Sequence, residues 1–379
     1  MILELHLIQN FAPSNLNRSD TGSPKDCIFG GVRRARISSQ CFKRAMRDYF
    51  REKFERPGEL AERSTRLVEH VVERLVEKGH DEQVAIKVVI QALSIVDIKA
   101  KEKKSKKDPA KVEYRTEYLV FMGRDEIAKL TEVCEEYFDE LSKDKVASAI
   151  TNEVNKKLMD LMKEGKAADL GLFGRMLADL PKQNRDAASQ VAHAISTHKV
   201  GLEFDFFTAV DDLRPEDTAG SDHLGTVEFN SACFYRYAIV DIDKLRENLQ
   251  KDEELTKATV ATYIKAAVEA LPTGKQNSFA THEKPSLVYA VVRDSGMMSL
   301  ANAFEKPVYD NKGGVVEKSI ESLVEHYGKV TGVYGDDAVS RVFVVTANGD
   351  KAEALGENAG SFNTLLDKTI SAIFDGKEA

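Results

Sequence analysis

The order in which the hydrophobic period changes along this 379-residue chain limits its fold more than any single motif. Leu3, Leu5 and Leu7 alternate with Glu4 and His6, the period of a half-buried strand, and Pro13 is expected to end it. From Arg56 to about Gly165 the spacing turns helical, with Leu67, Val71, Val72 and Leu75 first and further runs over 84–98, 130–141 and 150–162. Strand alternation returns over 200–210 and 226–242. A helix over 253–271, a strand over 286–292, a helix over 315–330, a strand over 341–346 and a helix over 362–374 complete the pattern. A sheet begun before a long helical interruption and resumed after it predicts an α+β body with an inserted outgrowth, rather than domains in series. Between the two returning strands lies DDLRPEDTAGSDHLG, too long for a tight hairpin, which predicts a second outgrowth, a protruding loop or β-arm.

Chemistry concentrates in residues 28–47, IFGGVRRARISSQCFKRAMR. Gly30 and Gly31 permit a positive φ or a close backbone approach, Arg33, Arg34 and Arg36 alternate as on a short strand, and Ser38 and Ser39 are placed to cap the next helix. From Gln40 onward Lys43, Arg44 and Arg47 fall on one side, with Phe42, Ala45, Met46, Tyr49 and Phe50 as the apolar remainder. Such a face beside a helix N-terminus suits a run of phosphates, although a merely solvated amphipathic helix has the same pattern. The net charge of −8 argues against nucleic acid only as a sum. Basic residues cluster here and again in KAKEKKSKKDPAK (99–111), where seven lysines against Glu102 and Asp108 predict a mobile basic loop.

Cys27, Cys41, Cys134 and Cys233 are scattered without a CxxC pair, which disfavours a zinc ribbon or disulfide framework and fits a reducing compartment. The first residues, MILELHLIQNF, carry no basic leader, and no apolar run approaches the length of a membrane span, so the expectation is a cytoplasmic protein without membrane contact.

Six segments in order, SNLNRSD, PKDCIFGGVRRARISSQCFKRAMR, LGLFGRMLADLP, VAHAISTHKVGLEFDFFTAVDDL, GTVEFNSACFYRYA and LANAFEKPV, together resemble the CasC-type backbone subunit of the type I-E CRISPR Cascade complex. The resemblance runs from about Ile8 to Lys306 and is weaker between Pro57 and Glu164. It implies an RNA-recognition-motif-like (ferredoxin-like) palm over 1–55 and 166–379, a helical fingers insertion over 56–165, and a thumb at about 199–228. The implied partners are a CRISPR guide RNA, target DNA, other copies of the same chain and other type I-E Cascade subunits, with no cofactor or metal. By the same resemblance, Arg18, Lys25, Ser38, Gln40, Lys43, Arg44 and Arg47 hold the guide backbone. Phe206, Phe207 and Thr208 wedge between guide bases, with Phe173, Arg175 and Met176 in a palm segment beside them. Phosphate contacts and aromatic wedges both ignore base identity, as a binder of arbitrary guides requires. The lysine loop falls in the fingers, which makes Lys103, Lys104, Lys106 and Lys107 candidates for DNA capture.

The resemblance also implies an alternative, a metal-dependent endoribonuclease acting on CRISPR RNA or target RNA, since related backbone subunits of type III complexes cut target RNA with an aspartate in the N-terminal loop region and Asp20 and Asp26 lie in the analogous stretch. A Mg²⁺ site needs converging carboxylates, and two isolated aspartates among cations predict salt-bridge partners instead. Asp211 and Asp212 are adjacent and would point to opposite faces of a strand. His193 and His198, five residues apart, would stand about 140° apart on a helix. Neither pair reads as a ligand set, and a non-catalytic scaffold is expected.

Overall fold

A computed structural model describes residues 1–104, 112–177, 180–209, 223–309, 314–346 and 349–375, and shows a mixed α+β protein. The chain divides into two compact units, one comprising Met1–Lys53, Ser189–Ile242 and Val260–Ala379, the other Phe54–Ala188 and Asp243–Thr259. Residues 166–188 thus cluster with the helical insertion.

The first unit begins with β1 (Ile2–Ser14), β2 (Asp26–Phe29), β3 (Val32–Ile37) and α1 (Ser39–Lys53). The second holds β4 (Ala61–Ser64), α2 (Leu67–Glu77), α3 (Glu82–Ile95), β5 (Ala100–Lys104), β6 (Val112–Thr116), β7 (Val120–Gly123), α4 (Arg124–Glu136), α5 (Phe138–Leu141), α6 (Ser148–Glu164) and α7 (Ala168–Phe173). The chain continues through β8 (Ser189–Val191), β9 (Ala194–Ser196), β10 (Glu203–Ala209), β11 (His223–Asp241), α8 (Ile242–Asn248), α9 (Glu253–Glu269) and α10 (Gln276–Phe279). It closes with β12 (Leu287–Arg293), α11 (Val315–Tyr334), β13 (Ala338–Val345), β14 (Glu357–Asn358) and α12 (Phe362–Phe374).

Among the described residues, the first unit's strands form one ten-stranded sheet in the order β14-β13-β12-β1-β11-β9-β3-β2, with β8 and β10 each pairing with β11. Strand β1 sits between β11 and β12, antiparallel to both, and this central place corrects the half-buried reading. Glu4 and His6 are as buried as the leucines, because residues far along the chain satisfy them. Arg293 Nε donates to Glu4 at 2.6 Å, Tyr237 Oη donates to its other oxygen at 2.6 Å, and His6 Nδ1 meets Tyr235 Oη at 2.8 Å. Pro13 does not end β1. It lies within a register shift between Phe11 and Ser14, where an irregularity accommodates a residue without an N–H.

The second unit packs Val68, Val71, Leu75, Val88, Leu130 and Leu158 from α2, α3, α4 and α6 into its own core. Here the sequence reading of 99–111 needs correction: 100–104 form β5, antiparallel to β6, with Lys104 opposite Val112. Pairing supplies the order that lysine composition alone does not. Residues 105–111 lie outside the described residues. Among the described residues, no helix is long and apolar enough to cross a membrane.

Candidate nucleic-acid interface

The Gly30–Gly31 turn joins β2 and β3 with both φ angles positive (59° and 76°), the conformation of a two-residue hairpin that matches strand twist. A Cβ on Gly30 would collide with the Glu305 carbonyl, so this position requires glycine for two reasons. Behind the turn, Arg34 is fully buried and donates to the carbonyls of Ser196 (3.0 Å), Phe304 (2.7 Å), Glu305 (3.2 Å) and Phe29 (3.3 Å). Arg34 therefore fixes the hairpin and offers nothing to a ligand. Arg33 pairs with Asp26 at 3.0 Å, so that carboxylate serves as a salt-bridge partner.

Exposed or half-exposed cations surround this frame. Arg18 and Arg44 are exposed and Lys25 and Lys43 are half-buried, with partial burial lowering the Lys43 pKa below its ordinary value. Arg18 and Arg44 also reach a cavity of about 500 Å³ between the 17–22 loop, α1 and the 272–274 turn. Asp48 bonds to Arg44 Nε at 3.1 Å and so offsets one of these charges. Gln40 is exposed on the first turn of α1. Ser38 is buried, its Oγ accepting from Cys41 N at 3.4 Å as a helix cap while its own N–H donates to Asn17 Oδ1 at 2.8 Å. Arg47 corrects the expected stripe: it turns to the buried side of α1 with Phe42, Met46 and Phe50, leaving Lys43 and Arg44 to present charge.

His193 and His198 are on loops flanking strands, not on a helix. His193 Nδ1 accepts the Ser39 N–H at 3.0 Å at the start of α1, and burial together with Arg36 and Lys25 holds its pKa below the usual histidine value. His198 Nδ1 donates to Lys199 O at 2.8 Å and its Nε2 accepts the Cys233 N–H at 3.1 Å, a neutral tautomer held by backbone. Among the described residues, no group of three or more His, Cys, Asp or Glu side chains converges as a metal site would require.

The hairpin of β10 and β11 carries the aromatic candidates. Thr208 is exposed, Phe206 is 65% exposed and Phe207 41%, with Phe207 lying across from Gly225, against which its ring packs. The sequence reading missed Phe204, which is 66% exposed and shares the Phe206 face at two-residue spacing. The signal was present in the Leu202, Phe204, Phe206 alternation, but alternation does not say which face is covered. Residues 210–222, and with them Asp211 and Asp212, lie outside the described residues.

In the second unit, Met176 is 81% exposed and Phe173 half-buried at the end of α7. Arg175 is a correction. Its side chain is 1% exposed, its Nη1 donates to both oxygens of Glu126 (2.9 and 2.8 Å) and its Nη2 to Met162 O (2.7 Å). Burial pushes the Glu126 carboxyl above its ordinary pKa against the pull of Arg175. A guanidinium so enclosed supports the fold and cannot reach a strand of RNA. Lys103 and Lys104 are exposed on β5, whereas Lys106 and Lys107 lie outside the described residues.

No curated protein matches the sequence. A solved chain from a "CRISPR RNA-guided surveillance complex, pre-nicking" is 33% identical, with 99% of this chain and 100% of that chain covered and a TM-score of 0.87. A second, from a "CRISPR RNA-guided surveillance complex", is 28% identical over 98% of this chain and 100% of that chain, with a TM-score of 0.75. The family model described as CT1975-like protein matches residues 3–370, nearly the whole length over which strands, insertion and basic motifs have been traced. The motif resemblance to Cascade backbone subunits accordingly holds, and the chain belongs to the CT1975-like protein family.

Proposed function

We propose that this protein is a non-catalytic, guide-RNA-binding backbone subunit of a type I-E CRISPR surveillance complex. It lines up with further copies of itself along the guide and presents the guide for pairing with target DNA, in the cytoplasm. The observation that carries this reading is the full-length likeness, at a TM-score of 0.87, to a chain of an RNA-guided surveillance complex. Local chemistry supports it. Arg18, Lys25, Lys43 and Arg44 gather around the rigid β2–β3 hairpin and α1, where phosphates are held without reading sequence. Gln40 adds a polar contact on the same turn. Phe204, Phe206, Phe207 and Thr208 form an exposed, base-neutral surface on the thumb, and Phe173 and Met176 form another. The central antiparallel β1–β11 pair supports a palm of the RNA-recognition-motif type. Lys103 and Lys104, exposed on β5, present charge suited to DNA phosphates.

The test is coexpression with its neighbouring subunits and a repeat-spacer transcript, followed by purification. The expected product is an intact, protected RNA of defined length, with affinity that falls steeply with salt and is indifferent to spacer sequence. RNA cut by the purified protein in a Mg²⁺-dependent way would overturn the scaffold reading in favour of a nuclease.

A further inference from the structure

The second unit contains a basic pocket that no part of the reading above uses. Its volume is about 330 Å³, and it lies between the end of α6, the 182–186 segment and α8. Arg175 and Arg185 stand opposite each other in an isolated antiparallel bridge, with backbone N–H to O distances of 2.8 and 2.9 Å in the two directions. Like charges so placed destabilise each other unless each finds a counter-charge. Glu126 is bonded to Arg175 on both oxygens and, with Asp125, acts on Arg185 only through space. Arg185 instead donates to three carbonyls, those of Gly165, Asn248 (3.0 Å) and Lys163 (3.0 Å), and among the described residues no carboxylate forms an ion pair with it.

The walls add to the excess. Lys163 and Lys182 are exposed at the mouth, while Lys244 is joined to Asp186 at 3.3 Å. Against Lys163, Lys182 and Arg185, Glu247 is the remaining carboxylate lining the pocket. The result is a preformed concavity with surplus positive charge. The half-buried Arg185 guanidinium is held by carbonyls, and the exposed lysines come from two separate segments.

We propose that this pocket binds a phosphodiester of a nucleic-acid strand, with Lys163 and Lys182 contacting phosphate and Arg185 supplying fixed charge beside them. The cavity exceeds what a bare phosphate fills, and two cations on separate segments fit successive phosphates better than a single small anion. The choice of a nucleic acid rests on the function proposed above. Guide RNA and target DNA carry the same group, and the experiment separates them.

The test uses the full chain, with the double variants Lys163→Gln/Lys182→Gln and Lys163→Arg/Lys182→Arg, and Lys129→Gln/Lys156→Gln as a control on exposed helical lysines of the same unit. Circular dichroism checks folding. Affinity is measured for single-stranded guide-length RNA and, on guide-loaded protein, for target DNA, each over a range of salt. The glutamine pair is expected to weaken one of these arms about five- to twenty-fold and to lower its log–log salt slope by about 1.4, from two single-strand phosphate contacts. The arm that weakens identifies the strand. The arginine pair is expected to stay within about twofold of wild type, as is the control. Unchanged binding in both arms, or an equal loss in the control, overturns the pocket. Failure of the wild type itself to bind either polymer would instead overturn the function on which the choice of ligand rests.

Discussion

Removing Arg175 should unfold the second unit sooner rather than strip a contact from RNA. In Arg175→Gln, the Glu126 carboxylate loses two charge-assisted bonds and keeps the Gly123 N–H at 2.7 Å, while remaining enclosed at 1% exposure. Taking one partner from a buried pair costs about 3–5 kcal/mol, because the other charge is left uncompensated. For a unit of this size each kcal/mol shifts the melting temperature by roughly 2–4 °C, so a fall of about 6–20 °C is expected. Glu126→Gln/Arg175→Gln should recover part of that fall, since two neutral amides can bond to each other and leave no orphaned charge. Thermal unfolding followed by circular dichroism gives the melting temperatures. RNA affinity measured well below all of them gives the binding effect. If Arg175→Gln melted within about 1 °C of wild type while binding RNA tenfold more weakly, the enclosed-pair account would be refuted and Arg175 restored as a ligand contact.

The two exposed rings of β10 and the buried His6 give further tests. Phe204 and Phe206 stand about 6.7 Å apart along one strand face, room for a single base at stacking distance, and alanine at either should weaken RNA binding by about 1–3 kcal/mol. The chain has no tryptophan, so Phe204→Trp supplies a lone reporter whose emission should be quenched by guide RNA; unquenched emission with full binding would remove Phe204 from the interface. Burial, with a smaller contribution from Arg293, lowers the His6 pKa to about 4 against the upward pull of Glu4. The unfolded chain therefore binds the extra proton between about pH 6.5 and 4. Stability that is full above about pH 6.5 should fall by about 3 kcal/mol as the pH drops through 4. His6→Gln should flatten that part of the melting profile, and an unchanged slope would assign the acid sensitivity to other groups.

What the sequence disclosed was local, and what it hid depended on distant partners. The α12 limits match the periodic run over 362–374, because its apolar spacing lies within the segment and the Ser361 cap immediately precedes it. The Gly30–Gly31 turn was legible for the same reason, as its conformation is a property of two residues. Glu4 and His6 were misread as solvent-facing because Tyr235, Tyr237 and Arg293, which satisfy them, are more than 220 residues away. Arg175 reads as a surface cation until Glu126 is brought beside it. Lysine composition predicts a loop at 99–104, yet antiparallel pairing with 112–116 builds a strand there. Of the basic stripe on α1, spacing located the charges, but only packing showed that Arg47 turns inward.

Strand β11 serves the central sheet along one stretch and the β10 hairpin along another. Its residues from Asn230 to Asp241 pair with β1 in the middle of the sheet, and those from His223 to Phe229 pair with β10. Seven residues of extended chain span about 23 Å, so the outer segment is a cantilever clamped in the core rather than an arm on a tether. A load on its outer segment is carried straight into the β1 backbone ladder. The clamp also imposes parity. Adding two residues between Phe229 and Asn230 would lengthen the reach by about 6.6 Å and keep the same rings on the same side, whereas adding one would invert the outer segment and exchange Phe204 and Phe206 for Phe207.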